Sequence, residues 1–492
     1  MLPDNRETRM IETRPDFSAS ARLPGGPIAK APTGIAGFDR IAGGGLPRGR
    51  PTLVCGGPGC GKSLFAMEFL VNGAREFGEP GVFISFEESA PELAQNFASL
   101  GFDVAGLVER DLLAIDHVIL NPNEIEESGE WNLDGLFVRL GLAIDSVGAR
   151  RVALDTIETL FAGLTNEKIL RAELVRLFAW LKKRGVTAVV TGEKGTGSFT
   201  RHGLEEYVSD CVVFLDHRVN EQVSTRRLRI VKYRGTVHGT NEYPFAISTT
   251  GFRVLPITEL GLSHQAPAER LSTGHAGIDR LLGGGPYRGS SILISGGAGS
   301  GKTTLSVQMV LAACRRGEKC LYFSFEESPA QIRRNLRSVG FDLDSDEARE
   351  KIQLIAIRPQ LQGLESHLID MQMKIEDSGA SLVVFDPMNT LTGAGAGTAS
   401  HAETMMLRII DSVKGQDITG VFVSLDSSRE DMHVSSLMDT WIHLHNTESN
   451  GERVRLLEVV KSRGTAHSNR ITPFRFTGDG FELLDAANAQ EG

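Results

Sequence analysis

The stretch GGPGCGKS at Gly56–Ser63 decides the fold, and the sequence repeats it as GGAGSGKT at Gly296–Thr303. Both stretches fit the pattern G-x-x-x-x-G-K-[ST], and each follows an apolar run and precedes a segment that favours a helix. In such a loop the glycines let backbone N–H groups converge on phosphates, and the lysine reaches the terminal phosphates. Two ordinary glycine-rich turns are the alternative, which the duplication in the same context disfavours. The sequence therefore predicts two phosphate-binding loops.

The same order of motifs surrounds both loops, which indicates that the chain contains a duplicated domain. TGIAGFDRIAGGGLPRG at Thr33–Gly49 returns as TGHAGIDRLLGGGPYRG at Thr273–Gly289. Downstream, FISFEES, VALDTIETL and KYRGTVH return in the same order as YFSFEES, VVFDPMNTL and KSRGTAH. Such a long period indicates tandem domains, because the repeats of a solenoid are far shorter.

Changes in composition divide the chain into five predicted segments. They are a flexible N-terminal tail at 1–30, a first domain at 31–255, a linker at 256–270, a second domain at 271–484 and a short C-terminal tail at 485–492. Short apolar runs in each half predict buried parallel strands, and longer amphipathic segments such as Ala172–Arg184 predict helices. The predicted strands are Pro51–Cys55, Val82–Phe86, Val152–Leu154, Thr187–Val190, Ile292–Ser295, Leu321–Phe325, Leu382–Phe385 and Val421–Ser424. The fold class is α/β, with a mostly parallel sheet flanked by helices in each half.

Composition excludes several classes of protein. The 492 residues are 41% hydrophobic and 23% charged, which is ordinary for a globular protein and excludes a wholly disordered one. The net charge of −10 argues against a dedicated nucleic-acid binder. We expect no membrane span and no signal peptide, because the apolar runs are short and the N-terminus is charged. Five cysteines without metal-ligand spacing favour a reducing, cytoplasmic compartment.

An aspartate ends the same predicted strand in each half, Asp155 in the first and Asp386 in the second. In enzymes with a phosphate-binding loop, a carboxylate at this position helps to hold Mg²⁺, together with the loop hydroxyl of Ser63 or Thr303. An aspartate that caps a turn at a strand end is the alternative. The repetition favours the metal role.

Paired glutamates follow the second predicted strand of each half, at Glu87-Glu88 and Glu326-Glu327. In a doubly wound sheet this position lies at the carboxyl edge, beside the phosphate loop. Phosphoryl transfer to water or to a hydroxyl needs a group that orients the nucleophile and accepts its proton. A solvated pair that opens the next helix is the alternative, but the duplication favours a catalytic role.

Basic residues form a third repeated element far from the loops in sequence, KYRGT at Lys232–Thr236 and KSRGT at Lys461–Thr465. A basic side chain that meets the γ-phosphate, often from a neighbouring subunit, stabilises charge in the transition state. A solvated strand end is the alternative. The residues alone leave open whether these elements act within one subunit or between subunits.

Taken together, the two tandem loops, each with FEES after the second strand and K-x-R-G-T near its end, resemble the KaiC family of RecA-like ATPases. The likeness runs from about residue 20 to about residue 485. It implies a double-ring homohexamer that binds ATP and Mg²⁺ between subunits, so that Lys232, Arg234, Lys461 and Arg463 reach the nucleotide of a neighbour. It also implies that the first ring is mainly a slow ATPase and that the second autophosphorylates, with Glu326 as general base.

The resemblance assigns site residues at matching positions of both halves. Those for the nucleotide are Gly59, Cys60, Gly61, Lys62, Ser63, Leu64, Ser99, Lys232, Tyr233, Arg234, Thr236 and His238 in the first half, and Ala298, Gly299, Ser300, Gly301, Lys302, Thr303, Thr304, Arg455, Lys461, Ser462, Arg463 and Thr465 in the second. Those for the metal are Ser63, Asp155, Thr303, Glu326 and Asp386, and those for catalysis are Glu87, Glu88, Glu326 and Glu327.

The phosphoacceptor pair of the family matches Ser435 and Ser436, within MHVSSLMDT. The first half has Glu206 and Tyr207 at the corresponding positions, as expected for a ring that only hydrolyses ATP. A serine pair at a helix edge is the alternative. One departure is Glu430, which stands where well-known members have a threonine that takes part in phosphate transfer.

The resemblance also bears on partners and on competing functions. A KaiB-like protein is a possible partner of the first ring. A KaiA-type activator is not expected, because the chain stops soon after Phe481–Leu484, where clock-type members carry a longer docking tail. The competing hypotheses are a DNA-dependent ATPase of the RecA or helicase type, and an ATP-dependent signalling scaffold without kinase activity. The acidic net charge counts against the first of these.

Overall fold

The structure is a computed structural model that describes most of the chain. The described residues are 26–119, 133–160, 167–195, 199–200, 208–220, 223–256, 267–358, 364–392, 399–425, 437–449, 452–478 and 480–484. The predicted acceptors Ser435 and Ser436, their counterparts Glu206 and Tyr207, and Glu430 lie outside these residues, as do most of both predicted tails and of the linker.

The first half is built on a nine-stranded sheet of order β11-β10-β9-β8-β3-β7-β6-β4-β5. Its strands, with the separate pair β1–β2, are β1 (Lys30–Ala31), β2 (Leu46–Pro47), β3 (Pro51–Gly56), β4 (Gly81–Ser85), β5 (Leu113–His117), β6 (Arg151–Asp155), β7 (Thr187–Glu193), β8 (Cys211–Asn220), β9 (Val223–Tyr233), β10 (Tyr243–Ser248) and β11 (Gly251–Val254). Its helices are α1 (Phe38–Ile41), α2 (Lys62–Glu76), α3 (Ala90–Ala98), α4 (Val104–Glu109), α5 (Asp134–Val147), α6 (Ile157–Leu160) and α7 (Glu167–Arg184).

The second half repeats this sheet, with the order β14-β13-β15-β16-β12-β17-β18-β19-β20. Its strands are β12 (Ser291–Gly296), β13 (Cys320–Ser324), β14 (Ile352–Ala356), β15 (Leu382–Asp386), β16 (Thr419–Leu425), β17 (Thr440–Ser449), β18 (Glu452–Ser462), β19 (Thr472–Thr477) and β20 (Gly480–Leu483). Its helices are α8 (Ala276–Leu281), α9 (Lys302–Arg315), α10 (Pro329–Arg337), α11 (Asp346–Lys351), α12 (Leu364–Ser378), α13 (Asn389–Thr392) and α14 (Ala399–Gly415).

Six strands of each sheet are parallel, and the C-terminal strands of each half continue the sheet as antiparallel strands. The central strands β3 and β12 are buried along their whole length, which explains why they are continuous apolar runs. Helices cover both faces, and each face forms its own hydrophobic cluster. The predicted α/β class with two mostly parallel sheets is confirmed.

Serine caps fix where the helices after the FEES motifs begin. The Ser89 hydroxyl and backbone N–H both donate to Glu92, and Ser328 does the same with Gln331, so α3 and α10 each start with a capping box. Each cap comes directly after the glutamate pair of its half. The local sequence thereby holds both pairs at the carboxyl ends of β4 and β13.

The two halves contact each other through the last strands of the first half and α12 of the second. Arg227 lies 2.9 Å from Glu365, and Arg253 lies 2.6 Å from Glu376. Leu255 packs into the hydrophobic cluster that contains the apolar side chains of α12. Among the described residues, no helix has the length and apolar character that a membrane span requires.

Glu68 is a buried carboxyl group two turns along α2 from the first phosphate loop. Its Oε2 accepts a hydrogen bond from the Phe252 backbone N–H at 2.7 Å. It borders a cavity of about 240 Å³ that Glu76 and Arg253 also line. Burial, more than any other cause, raises the pKa of Glu68 from 4.5 to about 7. The second half has the uncharged Gln308 at this position, equally buried.

We predict that Glu68→Gln removes a pH dependence of stability. Because the pKa of Glu68 is higher in the folded chain, the folded state binds more protons between pH 4.5 and about 7. The stabilising contribution of Glu68 to the free energy of unfolding is complete below pH 4.5. This contribution falls by about 3 kcal/mol as the pH rises through 7. Urea unfolding at pH 5 and pH 8 should therefore show a smaller difference for Glu68→Gln than for the parent chain.

The matched control is Gln308→Glu, which should introduce the same dependence in the second half. A parent chain and a Glu68→Gln variant with equal pH profiles would contradict the prediction.

Candidate functional site

The phosphate loops connect the central strand of each sheet to the first long helix of its half. Gly61 and Gly301, the N-caps of α2 and α9, have φ of 102° and 103°, a conformation that favours glycine. Space also requires glycine at Gly301, because a Cβ would lie 2.1 Å from the Phe476 ring, whereas a Cβ on Gly61 would meet only the end of the Ile247 side chain, at 2.8 Å. The helix N-terminus with its free N–H groups is therefore held at the strand end, where it favours an anion.

The loop lysines begin these two helices and lie across the loop. Lys62 Nζ donates to the carbonyl oxygens of Gly56 and Gly57, at 3.0 Å each, and Lys302 Nζ to those of Gly296 and Gly297, at 2.7 Å each. In the second half Lys302 borders a cavity of about 330 Å³. Its lining includes Ala298, Gly299, Thr303, Thr304, Glu326, Glu327 and Asp386. The second loop, the aspartate and the glutamate pair thus share one cavity.

A hydroxyl and a buried carboxylate meet at the start of each helix. Thr303 Oγ1 donates to Asp386 Oδ2 at 2.7 Å, and Tyr322 also donates to this oxygen. In the first half Ser63 and Thr191 donate to Asp155. Burial raises the pKa of both aspartates, whereas the hydroxyl donors lower it. Oxygen donors of this kind suit Mg²⁺, which takes one or two carboxylates together with phosphate oxygens.

The two glutamates of each pair have different partners. Glu87 Oε1 accepts hydrogen bonds from Thr156 Oγ1 at 3.1 Å and Thr159 Oγ1 at 3.2 Å, beyond the end of β6. Its neighbour Glu88 accepts from Asn96 Nδ2 of α3 at 2.9 Å instead. The first glutamate therefore faces the aspartate strand, and the second is bound to its own helix.

The second half repeats this division with one difference. Glu326 Oε1 accepts from Thr390 Oγ1 at 3.2 Å, and Glu327 accepts from Asn335 Nδ2 at 3.1 Å. Thr390 corresponds to Thr159, but Pro387 stands at the position of Thr156. The hydroxyl donor Thr156 of the first site is thus replaced in the second site by a proline, which has no hydrogen-bond donor.

The two K-x-R-G-T elements lie far from the loop of their own half. Tyr233 pairs with Cys211, which pairs with Thr52 near the amino end of β3, whereas the loop begins at the carboxyl end of that strand. Arg234 and Arg463 lie 3.7 Å and 3.8 Å from the carboxylates of Asp210 and Asp439. Burial, together with the charge of Arg463, lowers the pKa of Lys461. The fold therefore separates each element from its own phosphate loop by most of the length of the central strand.

The remaining predicted nucleotide residues differ in their surroundings. Cys60, Leu64 and Ser300 are buried, as are Tyr233, whose hydroxyl donates to Gly45 O at 2.8 Å, and Ser462. Arg455 lies over the ring of Phe476, 5.3 Å from its centroid, beside the second loop. Ser99 is exposed and donates to Gln95 O at the end of α3. Gly59 adopts a left-handed conformation, whereas Thr236, His238 and Thr465 lie on the turns after β9 and β18.

Sequence reasoning missed the side chains that hold the glutamates and aspartates in place. They are Thr156, Thr159, Thr191, Tyr322 and Thr390. A signal was present, since three of these hydroxyls occur in the repeated strings VALDTIETL and VVFDPMNTL.

Fold and site together define a tandem nucleotide-binding protein with two phosphate loops of the RecA-like class. The family model "ATPase: KaiC" matches the chain twice, at residues 31–259 and 271–488. The chain is 51% identical to Circadian clock protein KaiC2 of Synechocystis over 93% of this chain and 82% of that protein. It is 36% identical to Circadian clock oscillator protein KaiC of Synechococcus elongatus over 93% of this chain and 90% of that protein. The chain therefore belongs to the KaiC ATPase family.

We predict that the hydroxyls of Thr156 and Thr159 set the orientation of Glu87. Replacing both by valine removes two hydrogen bonds to Oε1, each worth about 1 kcal/mol. The kcat for ATP hydrolysis at the first site should fall by about tenfold or more, with KM for ATP nearly unchanged. The measurement uses a Lys302→Ala background, so that hydrolysis comes from the first site.

Thr390→Val is the matched control, since its hydroxyl serves Glu326 and its loss should leave first-site hydrolysis intact. An undiminished kcat in the double valine variant would show that the two hydroxyls do not support turnover.

Proposed function

We propose that the chain is an ATP-hydrolysing, autophosphorylating serine/threonine kinase of KaiC type, assembled as a double-ring homohexamer with ATP between subunits. The observation that carries this proposal is the spatial split of each site. Phosphate loop, aspartate and glutamate share one edge of the sheet, whereas the K-x-R-G-T element lies at the other edge. A basic group at the opposite edge can serve the nucleotide of the next subunit in a ring.

In each site the loop N–H groups and the lysine bind the triphosphate. Mg²⁺ would be held by Ser63 and Asp155 in the first site, and by Thr303 and Asp386, with Glu326 nearby, in the second. When bound, the ion neutralises charge on the β- and γ-phosphates. Lys232 and Arg234, or Lys461 and Arg463, would supply further positive charge from the neighbouring subunit.

The first glutamate of each pair activates a different acceptor of the γ-phosphoryl group. In the first site Glu87 orients a water molecule and accepts its proton as the bond from the γ-phosphorus to the bridging oxygen breaks, leaving ADP and phosphate. In the second site Glu326 accepts the hydroxyl proton of Ser435 or Ser436, which becomes a phosphoserine with ADP as leaving group. Glu88 and Glu327, bound to asparagines, would support the adjacent helix rather than take the proton.

The names of the relatives suggest a role in timing, which we extend to this chain as a proposal. A KaiB-like protein is the partner that we propose for the first ring. We propose a reducing compartment such as the cytoplasm, in keeping with five free cysteines that are all buried.

We predict that incubation with Mg²⁺ and ATP labelled at the γ-phosphate will label the chain on Ser435 or Ser436. The double variant Ser435→Ala/Ser436→Ala should lose the label but keep ATP hydrolysis, because the first site needs neither serine. Intact mass and phosphopeptide mapping report both the number of phosphates and their positions.

Two further variants separate the roles of the glutamates. Glu326→Gln should abolish labelling and spare first-site hydrolysis, whereas Glu87→Gln should do the reverse. Label that persists in the double alanine variant would refute the acceptor assignment. Label that persists in Glu326→Gln would refute the role of Glu326, and hydrolysis that survives Glu87→Gln in the Lys302→Ala background would refute the role of Glu87.

A further inference from the structure

A row of polar side chains crosses the second sheet and has no counterpart in the first. In the pairing of the strands, Ser295 of β12 lies opposite Ser424 of β16 on one side and His443 of β17 on the other. His443 in turn lies opposite Glu458 of β18. These four residues, Glu458, His443, Ser295 and Ser424, are called the polar row below. Cross-strand neighbours at one level point to the same face of a sheet.

The same level of the first sheet is mostly apolar. Cys55 of β3 lies opposite Gly192 of β7 and Phe214 of β8, and Phe214 lies opposite Arg229 of β9. The Phe214 ring packs against Phe199, with 5.2 Å between the ring centroids. The two sheets therefore share their strand pairing, but at this level the second has Ser295, Ser424 and His443 where the first has Cys55, Gly192 and Phe214.

Hydrogen bonds join the middle of the polar row. Trp441 Nε1 donates to Ser295 Oγ at 2.7 Å, and Ser295 Oγ lies 2.7 Å from His443 Nδ1. An indole N–H can only donate, so the serine hydroxyl proton is free to be donated to a neutral His443. At the outer end His445 Nε2 lies 2.7 Å from Glu458 Oε2. Ser295 is 5% exposed, so water cannot readily replace these partners.

The inner end of the polar row reaches the second nucleotide site. Ser424 Oγ donates to Asn389 Oδ1 at 3.0 Å, and the Leu425 backbone N–H donates to the same oxygen at 2.6 Å. Asn389 begins α13, and the next residue, Thr390, donates to Glu326 Oε1. Ser295 itself precedes Gly296, whose carbonyl oxygen accepts from Lys302.

We propose that the polar row, together with Asn389, is a positioning network for Glu326 in the second nucleotide site. It rests on the function proposed above for Glu326. The network fixes the ends of β12 and β16 relative to α13, and so sets where the Thr390 hydroxyl holds the glutamate. In the first site a second threonine, Thr156, also donates a hydrogen bond to Glu87. The second site has Pro387 at that position. The described lining of the cavity at Lys302 and Glu326 includes none of the four residues of the row, so we assign them a positioning role that acts through Glu326.

The test uses the full-length chain in a Glu87→Gln background, where both labelling and hydrolysis report on the second site. Ser295→Cys and His443→Phe install the side chains of the first half. Either change should lower kcat about tenfold with KM for ATP within about twofold, because a displaced catalytic group slows the reaction and leaves binding intact. His443→Asn should restore the rate, since its amide oxygen can accept the Ser295 hydroxyl proton where Nδ1 did.

Cys55→Ser is the matched control, an isosteric change at the same level of the first sheet, and should leave both rates unchanged. Unaltered kcat in Ser295→Cys and His443→Phe overturns the inference, and so does a His443→Asn variant as slow as His443→Phe. Should the background chain hydrolyse ATP without becoming labelled, the autokinase proposal fails and the same variants test the row by hydrolysis. A background chain inactive in both assays refutes the role of Glu326 and the network with it.

Discussion

Each nucleotide site depends on one close approach, that of the P-loop glycine to the C-terminal hairpin of its own half. Gly301 lies against the Phe476 ring of β19 with no room for a Cβ, and Gly61 lies against the end of the Ile247 side chain of β10. The contact fixes the N-terminus of the following helix at the end of the central strand, where its lysine and its hydroxyl residue begin the first turn. The aspartate and the glutamate pair reach the same place because parallel strands end at a common edge.

The two halves keep this arrangement and differ in what supports it. Two threonines hold Glu87, whereas one threonine holds Glu326. A carboxylate that receives fewer hydrogen bonds is held less firmly in one orientation. The proposed division of labour between a ring that orients water and a ring that takes a proton from its own serine agrees with this difference.

The sequence predicted where the motifs that are contiguous in the chain lie on the strands and loops of the fold. The phosphate loops, the aspartates that end β6 and β15, and the glutamates after β4 and β13 are where the repeated motifs suggested. The predicted strands are also present, with ends displaced by a few residues, as in Thr187–Glu193 against the predicted Thr187–Val190. The predicted helix Ala172–Arg184 begins earlier, at Glu167.

What the sequence did not predict depends on strand register. The strands β5 and β8 to β11, and in the second half β14 and β17 to β20, were not identified individually, although β10 and β19 contact the phosphate loops. The neighbours of Ser295 come from β16 and β17, which lie more than a hundred residues further along the chain. No local sequence pattern predicts that Ser295 and His443 are cross-strand neighbours, because tertiary packing sets the register between β12 and β17.

The charged contact between the two halves is not repeated by the matching residues at the other ends of the duplication. Arg253 reaches Glu376 of the second half, but the matching position of the last hairpin is Glu482, which binds Arg475 of its own hairpin at 2.8 Å. At the other end, Asp145 of α5 matches Glu376 and binds Arg184 at 2.9 Å. The duplication therefore places an arginine–carboxylate pair across the junction of the two halves, whereas the matching carboxylates pair with arginines of their own half.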